Sequence, residues 1–182
     1  RYHEGKLTNF TSRDGLPHDR VYAVVAAPDG AIWVGCRGGI ARFDGRQFRT
    51  YSVEDGLGSN LVNDLLLTQS GDLWASSWNN PVSRFDGNHF TVYTTMDGLT
   101  PATYALAEDH LGRLLLSGEG GTQWFDGRRF ESLPHATFGK TGHVKWAFPD
   151  SGGVIWLAGG NGVYRVDSER SESIEGLIHE SA

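Results

Sequence analysis

The sequence predicts an all-β chain built of four-stranded β-propeller blades. Three sets of markers carry that prediction. Trp33, Trp74, Leu115 and Trp156 stand 41 residues apart. Asp-Gly-Leu recurs at residues 14–16, 55–57 and 97–99, and Phe-Asp-Gly at 43–45, 85–87 and 125–127. A period of about 40 to 45 residues carrying strand and turn chemistry marks propeller blades, each a small antiparallel sheet.

In the first unit, residues 21–26 (Val-Tyr-Ala-Val-Val-Ala) read as a buried, β-branched strand. Asp29-Gly30 then supplies the positive φ that a tight hairpin needs. Residues 31–35 form a second strand, broken at Arg37-Gly38-Gly39, and residues 40–43 a third, turned at Asp44-Gly45. Residues 47–51 alternate as a half-exposed fourth strand should. The same template places strands at 62–67, 73–76, 82–85 and 89–93, then at 103–107, 113–117, 122–125 and 129–133. The last unit has strands at 144–148, 154–158 and 163–166 and a poorly marked stretch near Ile174. Ahead of them, residues 7–10 read as the outer strand of a preceding or closing blade, after a worn turn at His3-Glu4-Gly5. The units therefore divide as 1–13 (that outer strand), 14–54, 55–96, 97–136 and a degenerate 137–182.

The recurring rings at Trp33, Trp74, Trp156, Phe43, Phe85, Phe125, Phe48, Phe90 and Phe130 are expected in the core, filling the gaps where blades pack face to face. Asp14, Asp55 and Asp97 are structural, because an Asp before Gly caps a turn through its side chain.

Composition narrows the function. A net charge of -6, from 16 basic and 22 acidic residues, argues against a phosphate-tracking surface, so no nucleic-acid partner is expected. No apolar run approaches the roughly 18 residues of a membrane helix, and no signal peptide is evident. The start at Arg1 suggests a processed chain or a piece of a longer one. The lone Cys36 excludes an internal disulfide framework and a four-thiolate zinc site.

The string from Asp14 to Phe48, DGLPHDRVYAVVAAPDGAIWVGCRGGIARFDGRQF, resembles the two-component regulator propeller repeat. Residues 55–90 and 97–130 match it with small losses, and the fourth unit keeps Gly153-Val154-Ile155-Trp156 and Gly162-Val163-Tyr164-Arg165. The resemblance implies the extracytoplasmic (periplasmic or extracellular) sensor of a bacterial signalling protein. Such sensors often respond to polysaccharide fragments, form dimers, and use about seven blades. It implies no cofactor.

Two groups of residues on the loop face that usually holds ligands vary against the repeated frame. Arg37, Trp78-Asn79-Asn80, Glu119 and Asn161 lie between second and third strands, where glycine is otherwise the rule. An exposed ring beside paired amides can grip a sugar ring or a peptide; packing of Trp78 on a neighbouring loop is the alternative. His18, Arg20, His143 and Lys145 enter the inner strands, together with Asp19, Ser59, Asn60 and Thr100. Tyr22, Asn63, Tyr104 and Lys145 hold matching slots on the four inner strands, and alternation would aim them at a central channel. A polar lining of a water-filled channel explains the same residues without a ligand.

Catalysis finds less support. The seven histidines show no metal spacing, and no nucleophile elbow, phosphate loop or dinucleotide fingerprint occurs. Two alternatives to a sensing module remain open. One is an enzyme similar to streptogramin lyase, for which His18, His143 and Glu119 would be the only counterparts. The other is a protein-interaction scaffold. Two architectures also stay open, a closed four-bladed ring and an arc of a larger one. Ser171 stands where Phe48, Phe90 and Phe130 stand in the other units, and residues 174–177 look like a worn entry to a fifth. An unclosed array exposes an apolar face and strand edges, so it must close, pair with a second copy, or meet further blades.

Overall fold

The computed structural model describes residues 2–3, 5–78, 81–133, 144–152, 154–159 and 162–167. A short hairpin comes first, β1 (Tyr2–His3) against β2 (Lys6–Leu7). The first blade is β3 (Val21–Ala26), β4 (Ile32–Cys36), β5 (Gly39–Phe43) and β6 (Phe48–Tyr51), antiparallel and in sequence order. The second is β7 (Val62–Leu67), β8 (Leu73–Ser77), β9 (Val82–Phe85) and β10 (Phe90–Tyr93). The third is β11 (Thr103–Glu108), β12 (Leu114–Gly118), β13 (Gly121–Phe125) and β14 (Phe130–Ser132). The fourth shows three strands, β15 (Val144–Pro149), β16 (Val154–Gly159) and β17 (Gly162–Asp167). The stretch near Ile174, Ser171 and the worn entry at 174–177 lie outside the described residues.

The Asp-Gly-Leu marker is a complete turn device. Asp14, Asp55 and Asp97 each accept the backbone N–H of the cap residue three positions earlier (Thr11, Ser52, Thr94) at 2.8 Å, and its hydroxyl also donates to them. That closes a capping box around one 3-10 turn. The following glycines reverse the chain at φ of 109°, 96° and 90°, a region open to glycine. Leu16, Leu57 and Leu99 then plug the core. Ser52→Ala removes one such cap acceptor and is expected to cost about 1 kcal/mol, read as a small fall in melting temperature. In the Phe-Asp-Gly turn the carboxylate again holds the backbone. Asp44 accepts the N–H groups of Arg46 and Gln47, each at 2.8 Å, and Asp86 and Asp126 repeat the pattern. Those donated hydrogen bonds hold all three carboxyls below the usual carboxylate range.

Blades are joined by an aromatic lock used twice in full. Trp33 packs 5.6 Å from Tyr51 of its own blade and 5.9 Å from Phe85 of the next. Trp74 packs 5.4 Å from Tyr93 and 5.4 Å from Phe125. At the third junction the lock turns aliphatic, with Leu115, Leu133, Val144 and Val166 in one cluster. Phe10 takes the Tyr51 and Tyr93 position ahead of the first blade, 5.1 Å from Phe43 and 5.6 Å from Phe48.

Four sequence expectations need correction. The outer strand expected at 7–10 is Lys6–Leu7, and Phe10 lies beyond it as a packing residue. Trp156 is not core: it is 41% exposed, against 6% for Trp33 and 4% for Trp74, because no described sheet follows the fourth. The first inner strand is not buried either. Val21 and Val24 are exposed, whereas Val62 and Leu65 in the same slots are covered by the preceding blade. Phe48, Phe90 and Phe130 are only half-buried, at the outer rim. Among the described residues, the four sheets form an open arc with an uncovered face at each end.

Candidate functional site

Each inner strand carries the same irregularity. The pairing register slips between Val21 and Ala23, Val62 and Asp64, Thr103 and Ala105, and Val144 and Trp146. The skipped residues are Tyr22, Asn63, Tyr104 and Lys145. A bulge leaves one residue unpaired and re-aims its side chain, so this column is set by bulges and not by the plain alternation expected from the sequence. All four line one cavity of about 500 Å³ at the inner strands.

The rim of that cavity is aromatic. Trp78, 47% exposed, stands between two of the bulged residues, 6.2 Å from Tyr22 and 5.6 Å from Tyr104. The three rings thus run across three consecutive blades. Glu119, at the matching position one blade on, accepts the Tyr104 hydroxyl at 2.7 Å. Burial and that bond to a carboxylate push the phenol up to about 12, which keeps it a donor.

Below the rim, two polar residues tie the second blade to the third. Asn63 donates through Nδ2 to the Tyr104 carbonyl at 2.7 Å. Asp64 accepts the Leu106 N–H at 3.0 Å and its neighbour Leu65 N–H at 2.9 Å. Burial drives the Asp64 carboxyl up to about 6 despite those two donors. Lys145 and Trp146 complete the wall from the fourth blade.

Of the residues singled out in the sequence, Tyr22, Asn63, Trp78, Tyr104, Glu119 and Lys145 meet in this cavity. Arg37, His18 and Arg20 do not line it. His18 Nδ1 accepts the Arg20 N–H at 2.9 Å, a local turn bond, and the Arg20 carbonyl accepts the Arg37 N–H at 3.1 Å. The equivalent bond in the second blade runs from Leu61 N–H to the Ser59 hydroxyl, so this is frame chemistry filled by different side chains. His18 and Glu119, two of the three counterparts a lyase would need, therefore do not share the cavity. Asn79, Asn80, Asn161 and His143 lie outside the described residues. Asp64 and Trp146 were missed. Plain alternation would put Asp64 on the face of Val62; the bulge instead leaves Val62 and Leu65 facing the first blade and turns Asp64 toward the third, where it meets the Leu106 N–H. Among the described residues, no cluster of three or more His, Cys, Asp or Glu could hold a metal ion, and no helix is long and apolar enough to cross a membrane.

Comparison with known proteins bears on this architecture. The family model described as two component regulator propeller matches residues 15–38, so the repeat resemblance holds at the first blade. Curated protein sequences give no match. The extracellular domain of a hybrid two component system from B. thetaiotaomicron superposes with a TM-score of 0.77 at 19% identity, over 90% of this chain and 24% of that one. Virginiamycin B lyase from Staphylococcus aureus, in a catalytically inactive form with quinupristin, gives 0.69 at 16%, over 91% of this chain and 57% of that one. PorZ, a surface component of the type-IX secretion system of Porphyromonas gingivalis, gives 0.68 at 16%, over 100% and 30%. The fold is a β-propeller, and it resembles the extracellular propeller domains of two-component regulators. The chain spans about a quarter of the length of the extracellular domain it matches.

Proposed function

We propose that this chain is part of an extracytoplasmic ligand-sensing propeller and that it binds an oligosaccharide in the inner-strand cavity, without catalysis. One observation carries the reading: the run of Tyr22, Trp78 and Tyr104 at the mouth, with Asp64, Glu119 and Lys145 in the same wall. Ring faces suit the apolar face of a pyranose, while carboxylates accept and an ammonium donates to its hydroxyls. Half-exposed Trp78 would supply the stacking surface. Bulges fix Tyr22, Tyr104 and Lys145 on strands, and the Tyr104 hydroxyl holds Glu119, so little ordering of these groups accompanies binding. The location outside the cytoplasm comes from the resemblance to extracellular sensor domains.

A glycan array probed with the full chain, followed by titration of the best-bound oligosaccharide, tests the reading. Trp78→Ala is expected to weaken that binding at least tenfold, on the order of a lost stacking contact, and to move the melting temperature by no more than a few degrees. An array with no bound glycan, or affinity unchanged by Trp78→Ala, would sink it and favour a protein-docking scaffold.

A further inference from the structure

We propose that the oligosaccharide carries a free amino group, held as an ammonium among the rings of Tyr22, Trp78 and Tyr104 with Glu119 as its counter-charge. This rests on the sugar-binding reading above and names the class of sugar. The four residues belong to the first three blades and meet over the two junctions between them, inside the arc and away from its ends. Trp78 alone can stack under a neutral pyranose, but the three rings together do not form a flat platform. Trp78 is turned 69° from Tyr22 and 53° from Tyr104, with centroids 6.2 and 5.6 Å apart. Rings set at such angles enclose a point instead of underlying a plane. A cation is attracted to a ring within about 6 Å of its centroid, to Trp most strongly, so an ammonium in the angle between two rings reaches both. Neither Tyr22, 42% exposed, nor Trp78, 47% exposed, is covered.

Charge points the same way. Glu119 accepts the Tyr104 hydroxyl at 2.7 Å, which holds a carboxylate beside the third ring. Asp64 lies in the same wall, and Lys145, on the fourth blade, is the single cation lining the cavity among the described residues. Two carboxylates against one ammonium leave this wall acidic, which favours an amine over a uronate or a sulfate. An N-acetyl group removes the positive charge and adds bulk. The free and the acetylated forms of one sugar therefore separate this contact from every other.

Titration of the full chain with matched oligomers of glucosamine and of N-acetylglucosamine tests it, at about pH 6.5, where an amine with an ordinary pKa of about 8 is protonated. The glucosamine oligomer is expected to bind at least roughly tenfold tighter, the size of one cation–π contact joined to one charge-assisted bond. Glu119→Gln keeps an oxygen for the Tyr104 hydroxyl but loses the charge, and is expected to narrow the difference to about threefold. Glu119 is exposed, so this variant is expected to melt as the parent does. Equal binding of the two oligomers, tighter binding of an acidic one, or a difference that survives Glu119→Gln would overturn the proposal and leave sugar binding standing. Binding of trilysine in place of every sugar, or of no glycan at all, would overturn both.

Discussion

Trp74→Ala is expected to destabilise the chain by about 3–5 kcal/mol, seen as a large fall in the urea midpoint. Trp74 is 4% exposed. Its ring lies stacked on Tyr93 at 5.4 Å and 13°, and meets Phe125 edge-on at 5.4 Å and 66°. Leu99, Leu106, Leu114, Leu116 and Val82 surround it in the cluster that joins the second and third blades. Truncation therefore loses the transfer energy of the indole and leaves a cavity walled by two rigid sheets that cannot collapse into it. The same replacement at Trp156 is the control. That ring is exposed and keeps one bond, from Nε1 to Asp150 Oδ2 at 3.0 Å, so its loss is expected to stay within about 1 kcal/mol. Equal losses at the two positions would contradict the open arc, and an unchanged midpoint for Trp74→Ala would contradict the blade junction itself.

The contrast between Trp74 and Trp156 also marks what the sequence makes legible. Each lies within an apolar second strand, Leu-Trp-Ala in one case and Ile-Trp-Leu in the other, and pattern alone treats them alike. Burial differs because it is a property of the neighbouring sheet, and a neighbour is not written in the local pattern. Strand positions were readable because turn chemistry is local: Asp55 and Gly56 bind and bend their own few residues. Trp78 stands out because it is a bulky ring in the slot of Arg37 and Glu119, followed by Asn79 and Asn80 where those units have two glycines. The bulges were not readable. They are slips between two paired strands, and nothing in Val62-Asn63-Asp64 announces that Asn63 is skipped. Without the bulge, Asp64 would share the face of Val62 and could not reach the Leu106 N–H of the third blade. His18 shows the opposite error, since a residue type suited to chemistry serves here as the acceptor in a turn.

Asp64 gives the chain an expected pH dependence of stability with a definite sign. Burial pushes its carboxyl up to about 6 in the folded chain, against an ordinary value of 3.8. Below about pH 4 the proton is held in both the folded and the unfolded chain, and the site costs nothing. Between about 4 and 6 the unfolded chain releases its proton while the folded chain keeps it, so stability falls as pH rises. Above about 6 the deficit is constant, on the order of 3 kcal/mol from a shift of about two units. The aspartates of the turns act in the other direction. Asp44, Asp86, Asp126 and Asp150 have lowered carboxyls and lose their contribution only as pH falls into the acid range. Stability is therefore expected to peak near pH 4–5 and to decline towards 7, measured as urea midpoints in a buffer series. Asp64→Asn is expected to flatten that decline. The variant gives up one acceptor for the Leu65 or Leu106 N–H, which lowers the whole curve without restoring its slope. A parent chain as stable at pH 7 as at pH 5, or a slope that survives Asp64→Asn, would show that this carboxylate is not buried where the second and third blades meet.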